Sequence, residues 1–397
     1  MSPVPLSGIR VVDLTRIIAG PFCTQLLADL GAEVIKVEPP GRGDPVRGQG
    51  AIEDGLSWYY VQFNRNKKSL TLDLYSDQGK AVLADLLRTA DVLVENYRPG
   101  VLATMGFDPG RLEALNPRLI VGSVNGYGST GPYADRPAFD FIAQAMSGFM
   151  SVNGTEGGEP MRAGPPIADL VAGLYAAFGI VAGLFARAGA DGGRGQRVEA
   201  SLTGGLISML AYFSAQYFAT GRLPERTGND HPVVYPYGLF HAADGDVAIA
   251  PSTTVHVRRF LEALELGHLL DDPAFADNGA RMANRERLRP LINARIGEAT
   301  VDAWIERLNR AGVPCGRVMN LADVFADTQV IAQEMALEIE HPGYGPVRVT
   351  GFPVKLSATP PRLRRPAPRL GEHTDAVLAE LGYDAARLAE LRANGIV

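Results

Sequence analysis

Through the first third of the chain, short apolar runs alternate with segments whose apolar residues recur every three to four positions. Residues 8–15 (GIRVVDLT) predict a strand, residues 21–31 (PFCTQLLADLG) a helix ending on glycine, and residues 32–38 (AEVIKVE) a second strand, which together make a parallel βαβ unit. The alternation continues with an amphipathic helix over 77–90 and strands over 91–97 (DVLVENY) and 119–128 (LIVGSVNGYG). Apolar strands bracketed by helices imply an α/β fold with an open, doubly wound parallel sheet, whose ligands sit beyond the carboxyl ends of the strands. Binding residues are therefore expected in the turns after Thr15, Glu38, Tyr97 and Gly126.

The pattern changes at residues 164–186 (GPPIADLVAGLYAAFGIVAGLFA), an apolar helical run that carries one acid, Asp169. Its stretch 170–186 is uncharged, at the short edge of membrane-spanning length, and GIVAG mimics a transmembrane packing motif. A buried helix in a large core explains the same features and is the preferred reading. Pro165 and Pro166 stop the helix from extending backwards, so Asp169 falls at its cap or in its first turn. A glycine-rich turn and a strand follow over 189–202, then a second long apolar helix to about Ala219. Residues 220–232 (TGRLPERTGNDHP) are polar and aperiodic and read as a linker. Beyond it, two strands around an Asp-Gly turn (237–251) and amphipathic helices, one over 301–311, predict a smaller α+β unit. Residues 345–357 are strand-like, and a proline-rich connector and two short helices follow.

At 397 residues the chain exceeds the size of one usual core, so two structural units are expected. With 46% apolar and 21% charged residues it has the composition of a folded enzyme. A net charge of -6 argues against nucleic-acid binding, which needs a basic face. Cys23 and Cys315 form neither a disulfide scaffold nor a CxxC site, which fits a reducing cytoplasm. The first residues show no export signal.

Several chemistries drop out. GYGSTG (126–131) matches GxGxxG after a strand, but PYADRPAF follows where a nucleotide-binding helix should begin; a backbone approach to some other ligand and a plain turn remain equal alternatives. GxSxG is absent, and the six histidines never take zinc-helix spacing. Basic residues gather in GRGDPVRG (41–48), in NRNKKS (64–69) and at Arg98; singly they read as solvated loops, while together at a sheet edge they could receive phosphates. Asp169 reads either as a cap detail or as a nucleophile towards an activated acyl group, and its local sequence leaves both open.

Taken in order, LTRIIAGPF (14–22), LGAEVIKVEPPGRGD (30–44), NRNKKSLTLDL (64–74), VENYRPG (94–100), NGYGSTGP (125–132), the Asp169 segment, RGQRVEASL (194–202) and LGEHTDAVLAELG (370–382) resemble the class III CoA-transferases, the CaiB-BaiF family. The resemblance spans essentially the whole chain. It implies a large Rossmann-like domain from both chain ends (1–219 and 331–397), a linker (220–232), a small α+β domain (233–330) and an interlocked homodimer. It also implies transfer of CoA from an acyl-CoA, such as succinyl-CoA, to a carboxylic acid through mixed-anhydride and aspartyl-CoA thioester intermediates on Asp169. Coenzyme A is then a co-substrate, with no metal, nicotinamide or flavin, and neither nucleic acid nor membrane as partner.

By position, the family's CoA contacts fall on Ile18, Ala19, Leu72, Leu74, Tyr75, Asn96, Tyr97, Arg98, Met105, Phe139 and Asp140. Amides near Ile18 and Gly126 are candidate oxyanion donors. Arg16 and Arg47 are candidate cations for an acceptor's second carboxylate, with Gly126 and Tyr127 beside the acceptor. Formyl-CoA:oxalate transferases carry Gln at the position of Ile18 and a glycine tetrad not found here, so the resemblance points to dicarboxylates other than oxalate. The related α-methylacyl-CoA racemases use a His where this chain has Phe139, which leaves a two-base mechanism short of one base. A non-catalytic membrane or interaction protein built on the apolar helix is the rival from another class.

Overall fold

A computed structural model describes residues 4–189 and 193–397, so the glycine-rich turn expected after residue 189 lies partly outside the described residues. The chain forms two compact units: Met1–Phe149, Ala163–Tyr212 and Thr328–Val397 make the first, and Met150–Arg162 with Phe213–Asp327 make the second. The second unit thus begins before the linker read at 220–232 and includes residues 150–162, which no composition shift announces.

The first unit is built on six parallel strands, β1 (Arg10–Asp13), β2 (Glu33–Glu38), β3 (Lys67–Thr71), β4 (Val92–Glu95), β5 (Ile120–Asn125) and β6 (Arg197–Ser201). Their order is β3-β2-β1-β4-β5-β6, so the direction of winding reverses between β1 and β4. In such a sheet the crevice at the carboxyl ends of the two switch strands is the natural ligand position. Among its helices are α1 (Ala19–Asp29), α2 (Trp58–Asn64), α3 (Asp77–Thr89), α4 (Asp140–Met146), α5 (Ile167–Gly189) and α6 (Leu202–Ser208); α7 (Tyr212–Thr220) follows.

The strands look uniformly apolar in sequence because both faces are covered, yet successive side chains still part to opposite sides. Val11, Val34, Val92 and Ile120 pack with α1 and α5. Val12, Ile35, Leu70, Leu93 and Val121 pack with Val82, Leu83, Leu86 and Leu87 of α3 and with Val377, Leu378 and Leu391 near the C-terminus. The C-terminal segment also closes α1: Arg364 donates to the carbonyls of Ala28 and Ala32, and the Arg362 amide to that of Asp29. Cationic side chains at a helix C-terminus satisfy its last carbonyls and its dipole.

Helix α5 is long and apolar enough to cross a membrane, but half of that stretch is buried in the protein. Ala168, Ala172, Ala176 and Ile180 form the buried face. Gly173 lets α5 close on α1, since a Cβ there would stand 2.5 Å from the Ala19 carbonyl oxygen. The opposite face is apolar and exposed, with Phe178 72% and Phe185 83% accessible. The expectation of a buried helix therefore holds for one face only. The second long apolar helix expected up to Ala219 is two helices, α6 and α7, because Ala211 adopts a left-handed conformation (φ 49). The run MLAY has neither Gly nor Pro to signal that reversal.

The second unit carries three antiparallel strands, Gly238–Ala242, Gly245–Ile249 and Cys315–Arg317, the first two joined at Asp244 as the Asp-Gly turn predicts. Phe240, Val247, Phe260, Leu288 and Trp304 are among its core residues.

Candidate functional site

Asp169 lies in the first turn of α5, and the cap question is answered by a residue on another helix. Asp140, at the start of α4, accepts the Ala168 amide at 2.8 Å and the Gln144 Nε2 at 2.7 Å; Gln144 Oε1 accepts the Ala163 amide at 2.8 Å. Asp140 thus satisfies the helix start. Among the described residues the half-buried Asp169 carboxylate makes no hydrogen bond or ion pair. A helix N-terminus normally favours an ionised acid. Here burial, and then the negative charge of Asp140, prevail and raise Asp169 to about 7.

Tyr59, from α2, stands among three acids. Burial raises its hydroxyl above the usual tyrosine value, and the charges of Asp169, Asp140 and Asp44 add to the effect. It is therefore kept protonated, within the electrostatic reach of these carboxylates. Nothing in LSWYYVQF marks it, because an apolar helix bearing aromatic residues reads as core.

The turn between β1 and α1 approaches the same place. Ala19 carries its carbonyl against Gly173, one helical turn along α5 from Asp169. Helix α1 starts at Ile18 with no side-chain cap. Beneath it, Asp13 accepts from Thr15, Thr24 and fully buried Lys67. Burial pushes the Asp13 carboxyl up, but Lys67, Lys36 and the two hydroxyls outweigh it and hold it below the usual range. Burial lowers Lys67 to about 8 despite Asp13.

Beyond the carboxyl ends of β1, β2, β3 and β4 opens a cavity of about 620 Å³. Its lining joins apolar Leu14, Val37, Leu72 and Met105 to cationic Arg16, Arg42 and Lys80. Such a surface can hold a long, partly apolar molecule that ends in phosphates. Of the residues expected at the site, Arg16, Leu72, Leu74, Tyr75, Tyr97 and Met105 line it. Ile18 and Ala19 are buried where α1 begins, Arg98 is exposed just past β4, and Phe139 is exposed as it leads into α4.

The remaining side chains are engaged within the protein. Asn96 clasps the Arg16 backbone, accepting its amide at 3.0 Å and donating to its carbonyl at 2.8 Å. Asp140 faces α5 rather than the cavity. The Gly126 carbonyl accepts from Thr203, and the Tyr127 hydroxyl meets Met146 Sδ at 3.2 Å.

Two expectations are corrected. Arg47 is no free cation for a second carboxylate: Glu38 holds it by two 2.8 Å bonds, and it lies over Tyr60 and donates to the Pro368 carbonyl. The NRNKKS cluster does not await phosphates, because Arg65 pairs with Asp29, Lys67 with Asp13, and Lys68 with Glu33 and Glu380. Arg42, from the GRGDPVRG cluster, lines the cavity; Lys80 is the lining cation with no signal in the sequence, since it looks like any solvated charge on an amphipathic helix. Among the described residues no group of three His, Cys, Asp or Glu is placed to hold a metal ion.

Comparison with known proteins bears on these features. Residues 6–374 match the family model for CoA-transferase family III. The chain is 37% identical over 395 residues to the succinyl-CoA:glutarate CoA-transferase of Homo sapiens, spanning 99% of this chain and 90% of the human protein. It is 39% identical over 384 residues to the succinate–glutarate CoA-transferase of Agrobacterium fabrum, spanning 95% and 96% of the two chains. Among solved structures, a CaiB/BaiF family protein from Brucella suis superposes with a TM-score of 0.84 at 38% identity, covering 96% of this chain and all of the other.

Proposed function

The chain belongs to CoA-transferase family III and is an enzyme that transfers CoA; from that premise we propose that it moves CoA from succinyl-CoA, or a close analogue, to a dicarboxylic acid through covalent intermediates on Asp169. The observation that carries this reading is the unpaired Asp169 carboxylate, raised to about 7, in a helix start that Asp140 already caps. An acid with no partner to neutralise it is basic and free to attack.

The chemistry balances without an external base. Asp169 attacks the donor thioester carbonyl, forming a mixed anhydride and releasing the CoA thiolate. The thiolate attacks the aspartyl carbonyl, giving an aspartyl-CoA thioester and the free donor acid. The acceptor carboxylate then attacks that thioester, and the thiolate released a second time takes the acceptor acyl group, which restores Asp169. Splitting one exchange into four acyl transfers is covalent catalysis, and it requires exclusion of water, which would hydrolyse the anhydrides.

In this reading the cavity of about 620 Å³ takes CoA, with Leu72, Leu74, Met105 and Tyr97 along its apolar part and Arg42, Lys80 and Arg16 near phosphates. Tyr59, kept protonated and sensing the charge of Asp169, would be the donor to an acyl oxygen there. The glutarate-using relatives support a dicarboxylic acceptor. A racemase alternative finds no base at Phe139, whose ring is exposed.

The test is incubation with succinyl-CoA and a panel of glutarate, other dicarboxylates, oxalate and monocarboxylates. New CoA esters should form by chromatography, and mass should appear at Asp169 by peptide mapping. If no acid accepts CoA from succinyl-CoA or acetyl-CoA, and Asp169 gains no mass, the reading is wrong.

The exposed apolar face of α5, including Leu174, Phe178 and Phe185, together with Phe141 and Met146 of α4, supports assembly with a second copy of the chain. Sedimentation equilibrium should give the mass of two chains, and Phe178→Asp with Phe185→Asp should shift it towards one. A single-chain mass for the unaltered protein at micromolar concentration counts against the dimer.

A further inference from the structure

We propose that Asp44 is a positioning residue of the transfer reaction: it holds the Ile17 peptide in a left-handed conformation and so fixes the turn that joins the CoA cavity to Asp169. The inference rests on the reading of Asp169 as the acyl-carrying group.

Ile17 has φ 72. For a β-branched residue this is a true outlier, since its side chain crowds the backbone there and glycine would adopt it freely. The offset comes from outside the turn. Asp44 accepts the Ile17 amide with both oxygens, at 3.1 and 3.3 Å. Fully buried Lys36, on β2, bonds Asp44 at 2.9 Å and the Thr15 carbonyl at 2.8 Å. Asp13 takes the Thr15 amide at 2.9 Å, and Asn96 clasps Arg16 on both its amide and its carbonyl. Peptides 15, 16 and 17 are thus each gripped by a different neighbour.

This grip lies between the two halves of the site. Thr15, Arg16 and Asp44 line the cavity. Three residues beyond Arg16, α1 begins, with the Ala19 carbonyl against Gly173 of α5. Tyr59 feels the charges of both Asp44 and Asp169. A turn needed only to connect β1 to α1 could use glycine at position 17. Strain that the surroundings over-determine is characteristic of a site where geometry matters to the chemistry. If φ of Ile17 relaxed to the ordinary negative region, the Ile18 and Ala19 peptides would swing away from their present orientation against α5 at Gly173, one helical turn from Asp169.

The test separates backbone from side chain. I17G and I17P both remove the isoleucine side chain, and neither alters a residue of the Lys36–Asp44 pair. Glycine accepts the left-handed conformation, so I17G should keep kcat within about threefold of the unaltered enzyme. Proline fixes φ near −65° and lacks the amide that Asp44 accepts, so I17P should lose about 100-fold in kcat, with KM for the acyl-CoA changed less than about threefold. D44N should lose kcat similarly, and adding I17G should restore most of it, a rescue that a merely structural role would not produce. In the unaltered protein the amides of residues 15–17 should exchange with deuterium as slowly as the core strands.

Failure of the underlying reading is distinguishable. If the unaltered enzyme transfers no CoA, or D169A transfers it undiminished, the nucleophile is wrong. If those controls behave but I17P keeps kcat within threefold, the positioning role falls alone. Should I17P fail to fold, absence of rescue in D44N with I17G overturns the proposal. Should D44N fail as well, fast exchange at residues 15–17 does so.

Discussion

Asp169→Ala and Asp169→Asn should each lower CoA transfer by at least about 10⁴-fold, the scale on which loss of a covalent nucleophile acts when no neighbour can replace it. Asp140, the acid whose charge acts on Asp169, is held by the Ala168 amide and Gln144, so it cannot take over. The measurement is kcat with succinyl-CoA and the best acceptor, alongside the mass of the Asp169 peptide. A loss smaller than tenfold would remove Asp169 from the covalent path. Folding should survive in D169N, because Asp140 still caps α5. At high pH D169N should in fact be more stable than the unaltered protein. The acid titrates near the ordinary aspartate value of 3.8 when unfolded and at about 7 when folded, so between these values the folded state binds more protons and stability falls as pH rises. That penalty is absent below about 3.8 and complete above about 7. D169N lacks it, so its melting temperature relative to the unaltered protein should climb from pH 5 to pH 8 and then level.

The second large effect is on the rate itself. Only ionised Asp169 attacks, so the chemical step should lose about tenfold for each pH unit below about 7, reaching roughly 100-fold at pH 5. Burial is the first cause of the raised value and Asp140 the second. Asp140→Asn should therefore move the inflection to lower pH without returning it to the value of a solvated aspartate. Tyr59 and Asp44 are the other polar groups drawn into the same electrostatic environment, and neither is a cation that would reverse this direction. Single-turnover rates from pH 5 to pH 9 decide the matter. A flat profile in the unaltered enzyme, or an unmoved inflection in D140N, would contradict this account of the site.

The site was legible in unequal parts. Pro165 and Pro166 located the start of α5 within two residues, and the ordered motifs pointed to Asp169, but capping and nucleophilic roles were inseparable along the chain. Asp140 separated them from 29 residues upstream, by accepting the Ala168 amide. Within GRGDPVRG, Arg42 and Arg47 are equivalent as sequence, yet Arg42 lines the cavity while Arg47 is held by Glu38 under the C-terminal strap at Pro368. The strand β3 hid inside NRNKKS because two of its lysines look solvated, whereas Lys67 is fully buried against Asp13. The left-handed Ile17 carried no signal, since no rule of local preference would place a β-branched residue there.

By itself the sequence determined the alternating strands and helices of the doubly wound sheet, the apolar helix and its starting point, and the order of motifs that marks the family. These follow from periodicity and from neighbours a few residues apart, and they survive any arrangement of the rest. Only the tertiary structure decided which acid caps and which is left free, which arginine meets the cavity, and that a strained turn stands between cavity and nucleophile. The physical reason is range. Hydrogen bonds and ion pairs act over a few ångströms of space, and the groups that cap α5 in place of Asp169 and that hold Arg47 and Ile17 come from segments that only folding brings within that distance.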